Sequence, residues 1–294
     1  MKYLPTPPLL LYRRFVRSIE FNGFRGALAH SWQRLFRSLK NNGLSGTFER
    51  AFLKAPVAPA PQVASLPKTH PFDLLRGTDT GGFLSGASIP AATLSALYTT
   101  AYLGIAPSAL RSALAALPLQ REDFTFVDIG SGKGRALLVA AEFPFRDLIG
   151  VEIAAELCQI ARANLALHPQ WKDRISVVNQ DATKFAYPGT PLVLFVYFPF
   201  LSPILRRVLA NLLNQLRRSP HPAYLLYADI YGDLVRLHED TPAYQKVISS
   251  FAEIREQSNS IYPLTPEETD AEPSSGTLIR FTLYSIDVTA GPNR

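Results

Sequence analysis

Three glycines spaced two residues apart follow an aspartate in Val127–Arg135, which reads Val-Asp-Ile-Gly-Ser-Gly-Lys-Gly-Arg. An apolar run, Phe124–Asp128, leads into these glycines, and a helical composition follows them over Arg135–Glu142. Glycine lets a chain turn sharply and lets a ligand approach the backbone. The first N–H groups of a helix have no partner inside the helix and bind polar or anionic ligands. The pattern therefore predicts a ligand-binding loop between a strand and a helix.

Three ligand classes compete for this loop. A phosphate loop has the pattern G-x-x-x-x-G-K-[ST], but Val127 stands at its first glycine and Gly134 at its hydroxyl residue, which excludes it. A dinucleotide loop has the pattern G-x-G-x-x-G, and Arg135 at the third glycine weakens an NAD-dependent oxidoreductase without eliminating it. The S-adenosylmethionine loop has an acidic residue before G-x-G-x-G. Residues Asp128 to Gly134 match it throughout.

Two further acidic residues follow predicted strands. Glu152 ends the second apolar run, 18 residues after Gly134, where a carboxylate can accept hydrogen bonds from both hydroxyls of a ribose. Asp181 comes just after the third run, where an acid can receive the amino group of an adenine. The carboxyl ends of neighbouring parallel strands form the usual ligand crevice of open α/β sheets. The sequence thus places Asp128, Glu152 and Asp181 along one crevice.

Short apolar runs alternate with helical segments from the middle of the chain onward. Fully apolar strands that alternate with helices favour an α/β fold, in which helices cover both faces of a mostly parallel sheet. The predicted strands are Phe124–Asp128, Leu148–Glu152, Ile175–Val178, Leu192–Tyr197, Tyr224–Tyr227 and Leu278–Ile286, and the predicted helices are Arg135–Glu142, Ala154–Leu167 and Ser202–Arg218.

These motifs carry a resemblance to a known family. The segment from about Tyr98 to Leu283 resembles class I S-adenosylmethionine-dependent methyltransferases, whose Rossmann-like sheet has seven strands. Phe72–Gly82, Val127–Arg135, Ala141–Phe145 and Gly150–Glu152 are similar to a group of largely uncharacterised bacterial members. The arrangement of Tyr102, Pro107, the Asp128 loop and Glu152 is also similar to that of protein-lysine methyltransferases without a SET domain.

The resemblance implies a strand order of 3-2-1-4-5-7-6, with Leu278–Ile286 as the antiparallel last strand. It implies S-adenosyl-L-methionine as cofactor. The three glycines would underlie its methionine and ribose, Asp128 would orient its amino group, Glu152 would hold the ribose, and Asp181 and the N–H of Ala182 would hold the adenine. The full set of expected cofactor-binding residues is Asp128, Gly130, Ser131, Gly132, Gly134, Glu152, Asp181 and Ala182.

The segment after the fourth strand departs from the family. Relatives often carry Asn or Asp before Pro-Phe there, whereas this chain reads Tyr197-Phe-Pro-Phe200. Phe198 lacks a group to hold a substrate nitrogen, so the aromatic residues either pack in the core or form a wall for a cationic amine or flat ring. The backbone carbonyls of the segment remain available for the cofactor's ammonium. The candidate catalytic residues are Tyr197 and Tyr102, with Tyr98, Asp79 and Asp229 as further candidate bases.

Other side chains have simpler interpretations. Asp79–Gly82 is either a turn cluster held by Asp and Thr side chains or a lid over the cofactor. Lys133 and Arg135 are expected to be solvated or ion-paired at the helix start. The single cysteine, Cys158, excludes an intramolecular disulfide and a multi-cysteine zinc cluster, and the five histidines have no metal-ligand spacing. We therefore expect no metal.

The N-terminal quarter differs from the rest in charge. Residues 1–70 carry a net charge of +9 and the remainder −3. The chain divides into a basic amphipathic helical extension at 1–54, a Pro/Ala-rich linker at 55–70 and a methyltransferase domain at 71–290. The extension either packs on the domain or contacts an anionic membrane surface, an acidic protein or RNA.

The hydrophobic content of 47% is that of a folded protein, and no apolar run reaches the length of a membrane span. The apolar run at Leu9–Tyr12 is too short for a secretory signal, so we expect a cytoplasmic protein, with a peripheral membrane location through residues 1–54 as the alternative. The expected function is methyl transfer to a nucleophilic acceptor, with protein lysine favoured. A non-catalytic cofactor-binding module and a methyltransferase for RNA or a small molecule stay open.

Overall fold

A computed structural model describes residues 70–84, 95–231, 241–272 and 277–289. The predicted basic extension at 1–54 and nearly all of the predicted linker lie outside these residues, so their structures stay predictions. The chain divides into two compact units. The first includes the described residues 95–98, which form a short 3₁₀ helix, Ser95–Tyr98. The second holds all the other described residues and the whole sheet.

Seven strands and seven α-helices make up the described part of the second unit. The strands are β1 Thr125–Ile129, β2 Asp147–Glu152, β3 Ile175–Asn179, β4 Leu192–Val196, β5 Ala223–Tyr231, β6 Ile254–Pro263 and β7 Leu278–Ile286. The helices are α1 Pro71–Arg76, α2 Pro107–Ala115, α3 Arg135–Ala140, α4 Ala155–Ala166, α5 Ser202–Arg218, α6 Thr241–Ser249 and α7 Pro266–Ala271.

The strands form one sheet in the order β3-β2-β1-β4-β5-β7-β6. Neighbours from β3 through β5 pair in parallel, and β7 runs antiparallel to both β5 and β6. The predicted α/β class, strand order and antiparallel strand Leu278–Ile286 are confirmed. Because β1 lies between β2 and β4, the loops after these three strands meet at one edge of the sheet.

The central strands form because their residues can be buried on both faces. Every residue of β1 and β4 is buried, as expected for parallel strands covered by helices on both sides. Phe126 of β1 lies against Phe195 of β4 with ring centroids 5.6 Å apart. Ile129, the last residue of β1, pairs with Val196, the last residue of β4, so the loops after the two strands begin at the same level of the sheet.

Helix α5 has apolar side chains at three- and four-residue spacing, from Ile204 to Leu216, and all of them are buried. Its predicted bounds, Ser202–Arg218, are confirmed. Sequence reasoning missed β6, because most of its side chains are exposed and it lacks an apolar run. It also missed the short helices α1, α2, α6 and α7. Among the described residues, no helix has the length and apolar character needed to cross a bilayer.

Candidate functional site

The glycine loop follows β1 and leads into α3, as predicted. Gly130, Gly132 and Gly134 have φ values of 78°, 53° and 86°, a backbone region that side chains with a Cβ rarely adopt. Gly134 is the N-cap of α3. The alternate-residue spacing of the glycines therefore matches three left-handed backbone positions in one tight loop.

Protein side chains occupy the space that the missing Cβ atoms leave. A Cβ on Gly130 would lie 2.1 Å from Pro199 Cβ, and one on Gly132 would lie 2.2 Å from Tyr102 Cε2. Gly150 of β2 likewise makes room for Ser131, whose hydroxyl would lie 2.7 Å from a Cβ there. Two of the loop glycines are thus needed for the packing of Tyr102 and the segment after β4, whatever ligand the loop binds.

Two buried carboxyl groups stand at the carboxyl ends of neighbouring strands. Asp128 is 4% exposed and Glu152 is 6% exposed. Glu152 accepts hydrogen bonds from Gly132 N at 2.9 Å and Ala154 N at 2.8 Å, one at each carboxylate oxygen. Burial raises the pKa of Glu152. Burial, with the charge of Glu152, raises the pKa of Asp128 to about 8.

The end of β3 is tied to the end of β2. Asn179 donates from Nδ2 to the carbonyl oxygen of Glu152 at 2.9 Å, and Gln180 N donates to the same oxygen at 3.0 Å. Asp181 then caps a short 3₁₀ turn, Ala182–Lys184, by accepting from Thr183 N and Thr183 Oγ1. Asp181 and Ala182 therefore lie beside Glu152 at the same edge of the sheet, with one carboxylate oxygen of Asp181 used as a turn cap.

A segment N-terminal to the sheet, Gly77–Gly82, forms a strap built on Asp73. The buried Asp73 accepts at Oδ1 from Thr78 Oγ1, Thr80 N and Thr80 Oγ1, at 2.6, 2.9 and 2.6 Å. Of the two predictions for Asp79–Gly82, this geometry matches the turn cluster. Sequence reasoning did not single out Asp73, because its partners lie five and seven positions later, beyond the two-residue reach of a local Asp turn.

The strap is bound to the glycine loop and to α4. Lys133 Nζ donates to Asp79 Oδ1 at 2.7 Å and to the carbonyl oxygen of Gly81 at 2.8 Å. Asn164 of α4 exchanges two hydrogen bonds with the backbone of Asp79 and also donates to the carbonyl oxygen of Lys133. Tyr102 donates its hydroxyl to the carbonyl oxygen of Thr80 at 2.6 Å. Strap and loop therefore form one hydrogen-bonded unit.

Arg135 is the centre of a buried ionic network rather than a solvated residue at a helix start. It is 2% exposed and makes a bidentate ion pair with Glu272, in which Nη1 donates to Oε2 at 2.7 Å and Nη2 donates to Oε1 at 2.9 Å. It also donates to Oγ1 and the carbonyl oxygen of Thr80 in the strap. A Cβ on Gly104 would lie 2.4 Å from its guanidinium carbon, so that glycine makes room for it. The predicted ion pairing of Lys133 and Arg135 is confirmed.

The segment after β4 faces inward. Phe198 is 4% exposed, has a φ of 50°, and stacks on Tyr244 of α6 with ring centroids 4.2 Å apart. The hydroxyl of Thr100 donates to the carbonyl oxygen of Phe198, Thr100 N donates to that of Pro199, and Tyr244 donates to that of Phe200. Of the two predictions for this segment, core packing describes Phe198 and Phe200. The three carbonyl groups are already hydrogen-bonded.

The candidate catalytic tyrosines are both buried at the hydroxyl. The Tyr102 hydroxyl is bound to Thr80, and the Tyr197 hydroxyl makes no hydrogen bond to any described residue. Burial raises the pKa of both phenols, so both are neutral at physiological pH. Asp229 is 1% exposed and lies 3.5 Å from Arg280 on β7, and burial raises its pKa to about 6. The side chain of Asp79 is exposed and paired with Lys133.

Within the described ranges, no group of three or more His, Cys, Asp or Glu side chains is arranged to hold a metal ion. Cys158 is buried against the sheet, where desolvation raises the pKa of its thiol to about 11. Its thiol donates a long hydrogen bond, 3.5 Å, to the carbonyl oxygen of Glu152.

A family model described as the histone methylation protein DOT1 matches residues 95–186, about a third of the chain. The match spans Tyr102, the glycine loop and Glu152, and it ends before β4. No curated protein sequence matches the chain. The sheet in the described residues has the strand order of the methyltransferase fold.

Several solved structures are similar to the chain at low identity. A SAM-dependent methyltransferase from Aquifex aeolicus is 15% identical over 60% of this chain and 89% of its own, with a TM-score of 0.44. Geranyl diphosphate C-methyltransferase from Streptomyces coelicolor, in complex with Mg²⁺, geranyl diphosphate and S-adenosyl-L-homocysteine, is 14% identical over 61% and 76%, with a TM-score of 0.41. The [4+2]-cyclase SpnF is 12% identical over 60% and 80%, with a TM-score of 0.44.

Proposed function

We propose that this chain binds S-adenosylmethionine and transfers its methyl group to a nucleophilic acceptor. The observation that carries the proposal is the pair of buried carboxyl groups, Asp128 and Glu152, at the ends of two adjacent strands around a left-handed glycine loop. A carboxylate with one donor at each oxygen keeps further lone pairs for ligand hydroxyls. Ser131 adds a buried hydroxyl that makes no hydrogen bond to a described residue. These groups fit a polar, cationic nucleoside.

Each site residue has a proposed role toward the cofactor. Glu152, held by the N–H groups of Gly132 and Ala154, accepts hydrogen bonds from the ribose hydroxyls. Asp128 would accept a hydrogen bond from the ammonium of the amino-acid end, and the Ser131 hydroxyl would bind another polar atom of that end. The N–H groups of Gly130, Ser131, Gly132 and Gly134 already donate within the protein. Asp181 and Ala182 line the adenine end. An NAD-dependent oxidoreductase is disfavoured because buried Arg135 replaces the third glycine of the dinucleotide loop.

When bound, the cofactor supplies a methyl group already activated by its sulfonium. The chain's own task is therefore alignment and provision of a deprotonated nucleophile, and positioning alone contributes roughly 7–11 kcal/mol to such reactions. Neither candidate tyrosine provides a base at neutral pH, because burial raises the pKa of both phenols. We propose that an amine acceptor loses its proton by desolvation, which favours the neutral amine.

Protein lysine is the favoured acceptor class. The family description, a histone methylation protein, supports it, and so does the similarity of the Tyr102–Glu152 arrangement to lysine methyltransferases without a SET domain. The matched residues 95–186 include the glycine loop and Glu152, which are proposed to bind the cofactor, but not the segment after β4. The buried Phe198 disfavours an acceptor nitrogen held by a polar side chain after β4.

Calorimetric titration with S-adenosylmethionine, S-adenosylhomocysteine and NAD tests the cofactor. We expect the first two to bind, and Glu152→Ala to weaken them at least about tenfold, or 1.4 kcal/mol. Glu156→Ala is the matched control, because Glu156 is exposed in the first turn of α4. Binding of NAD without either adenosyl ligand would replace the methyltransferase proposal with the oxidoreductase.

A second candidate, a non-catalytic cofactor-binding module, is favoured by the inward-facing segment after β4, where the carbonyl oxygens of Phe198, Pro199 and Phe200 each already accept a hydrogen bond. Transfer of labelled methyl groups to a lysine-rich protein mixture separates the two. Label on protein lysine supports the main proposal, and label on added RNA or a small molecule redirects the acceptor. Cofactor binding with no transfer to any of these acceptors supports the module.

A further inference from the structure

The pair of buried carboxyl groups has a consequence for how the ligand binds. We propose that binding of the cofactor's amino-acid end expels one proton from Asp128, so that the ligand's ammonium takes the proton's place. This inference rests on the proposed function, since it concerns the same cofactor site. It adds a proton to the binding equilibrium: protein with neutral Asp128 plus ligand ammonium gives an ion-paired complex plus one free H⁺.

The two carboxyl groups differ in their hydrogen bonds. Glu152 accepts from two backbone N–H groups, which favour its ionised form. Asp128 is 4% exposed as a residue, and its carboxyl group makes no hydrogen bond to any residue in the described ranges. Two buried carboxylates on neighbouring strands repel each other in a medium of low dielectric constant. The negative charge is therefore retained on Glu152 and the proton on Asp128.

The ionisable groups on surrounding elements supply no compensating cation. In the described part of the chain, neither Asp128 nor Glu152 has an ion pair, and the two cations of the loop and α3 are committed to other acids: Lys133 to Asp79, and Arg135 to Glu272. The other ionisable side chains on neighbouring elements include Glu156, Cys158 and Arg162 on α4, Tyr102 before α2, Asp181 after β3 and Tyr197 after β4. The cation among them, Arg162, donates to the carbonyl oxygen of Val177 on β3.

Burial and the charge of Glu152 raise the pKa of Asp128 to about 8, which agrees with a neutral group below that pH. Ligand binding changes this balance. An ammonium placed beside a buried carboxylate favours its ionised form, and the pairing is stronger in a buried site than in water. A ligand that lacks the ammonium offers Asp128 no such partner and leaves its proton in place.

The test is calorimetry at pH 6.5 in buffers of different ionisation enthalpy, since the dependence of the observed heat on that enthalpy counts the protons released. The probes are S-adenosylhomocysteine, decarboxylated S-adenosylmethionine, which keeps the amine and lacks the carboxylate, and 5′-methylthioadenosine, which lacks both. We expect the first two to release about one proton each and the third close to none. Affinity for the first two then rises about tenfold per pH unit between pH 6 and 7.

Two variants sharpen the test. Asp128→Asn keeps the shape of the side chain and carries no titratable proton, so we expect the release and the pH dependence of affinity to disappear. Asp123→Asn is the control. Asp123 is an exposed Asp in the 3₁₀ turn Arg121–Asp123 before β1, outside the proposed site, and its replacement leaves the proton release unchanged.

The outcomes separate this inference from the function it rests on. If no adenosyl ligand binds, the proposed function fails. If S-adenosylhomocysteine binds without proton release, or if 5′-methylthioadenosine releases as many protons, the proposed function stands and the inference is wrong. Proton release that persists in Asp128→Asn would show that another group loses the proton, and this result also overturns the inference.

Discussion

A Cβ atom built on Gly130 would lie 2.1 Å from Cβ of Pro199, so the glycine loop after β1 and the segment after β4 pack directly against each other. The two segments come from opposite halves of the expected site. The glycine loop is the proposed cofactor site, and the segment after β4 is the proposed acceptor side. Because no space separates them at this point, a change in the loop is transmitted to the Tyr197–Phe200 segment.

Replacement of Gly130 by Ala tests this contact. The substitution meets both a φ of 78° and the Pro199 side chain. A left-handed backbone costs a non-glycine residue roughly 1–2 kcal/mol, and the clash adds to this. We expect Gly130→Ala to lower the free energy of unfolding by more than about 2 kcal/mol and to abolish S-adenosylhomocysteine binding, as measured by urea unfolding and calorimetry.

The chain offers a matched control for this substitution. Gly189 has no heavy atom within 4 Å of a built Cβ and no positive φ. Gly189→Ala should therefore change stability by less than about 0.5 kcal/mol, the usual range for a surface substitution. Equal effects of the two substitutions would contradict the role assigned to the Pro199 contact.

The buried ion pair between Arg135 and Glu272 makes a second prediction. Arg135→Met leaves Glu272, 4% exposed, as a buried carboxylate without its cation. Removal of one partner of a buried pair costs about 3–5 kcal/mol. We expect a loss in this range on urea unfolding, together with faster amide hydrogen exchange in the strap Gly77–Gly82, because Arg135 also donates to Thr80.

The companion variant Arg135→Met/Glu272→Gln separates charge from packing. Since it removes both charges, stability should recover by more than about 1 kcal/mol relative to Arg135→Met alone. Exchange in the strap should stay fast, because the bonds from Arg135 to Thr80 are still missing. A strap with protected amides in both variants would show that Tyr102, Lys133 and Asn164 hold it without Arg135.

The sheet could be predicted from the sequence because its central strands are buried on both faces and therefore appear as apolar runs. The bounds of β7 and α5 are predicted to the residue, and β1 is predicted within one residue at each end. Strand β6 was missed for the opposite reason. It is the exposed edge of the sheet and is rich in polar residues from Arg255 to Ser260, so no periodicity distinguishes it from a loop.

The site was predictable only where its residues are close in sequence. The loop from Asp128 to Gly134 and the acid Glu152 follow strands whose pairing is set by topology. The network around Arg135 joins residues as far apart as Asp73 and Glu272, and no local pattern links them. The inward orientation of Phe198 depends on Tyr244, 46 positions later, which is a tertiary contact outside the reach of spacing rules.

Replacement of each candidate tyrosine by Phe tests its role in catalysis. Tyr102→Phe removes the hydrogen bond to Thr80, which is worth about 1 kcal/mol. Tyr197→Phe removes a buried hydroxyl that makes no hydrogen bond to a described residue, and should leave stability unchanged or slightly raised. Because burial raises the pKa of both phenols, we expect each variant to keep its rate of methyl transfer within about tenfold of the parent rate. Loss of a true general base would lower the rate by at least about a hundredfold. A hundredfold fall in kcat at unchanged cofactor affinity would assign a catalytic role to that tyrosine.

Stability should depend on pH through Asp128, and the sign follows from its raised pKa. Below about pH 4 the Asp128 carboxyl group is protonated in both the folded and the unfolded chain, so its titration does not change the free energy of unfolding. Between pH 4 and about 8 the unfolded chain has lost this proton while the folded protein retains it. Stability therefore falls as pH rises across this window, and above it the folded protein bears the full cost of a buried charge.

Asp128→Asn removes this cost, so the unliganded variant should be more stable than the parent chain. At pH 8 we expect its free energy of unfolding to be higher by more than about 1.4 kcal/mol, the equivalent of a shift of one pKa unit. The difference should shrink toward pH 5. Urea unfolding at pH 5, 6, 7 and 8 measures it, with Asp123→Asn, an exposed Asp, as the control that changes nothing. Because the same variant loses its partner for the cofactor's ammonium, it should bind S-adenosylhomocysteine more weakly while being harder to unfold. A variant that is less stable at pH 8 would show that the Asp128 carboxylate stabilises the loop rather than being kept buried for the ligand.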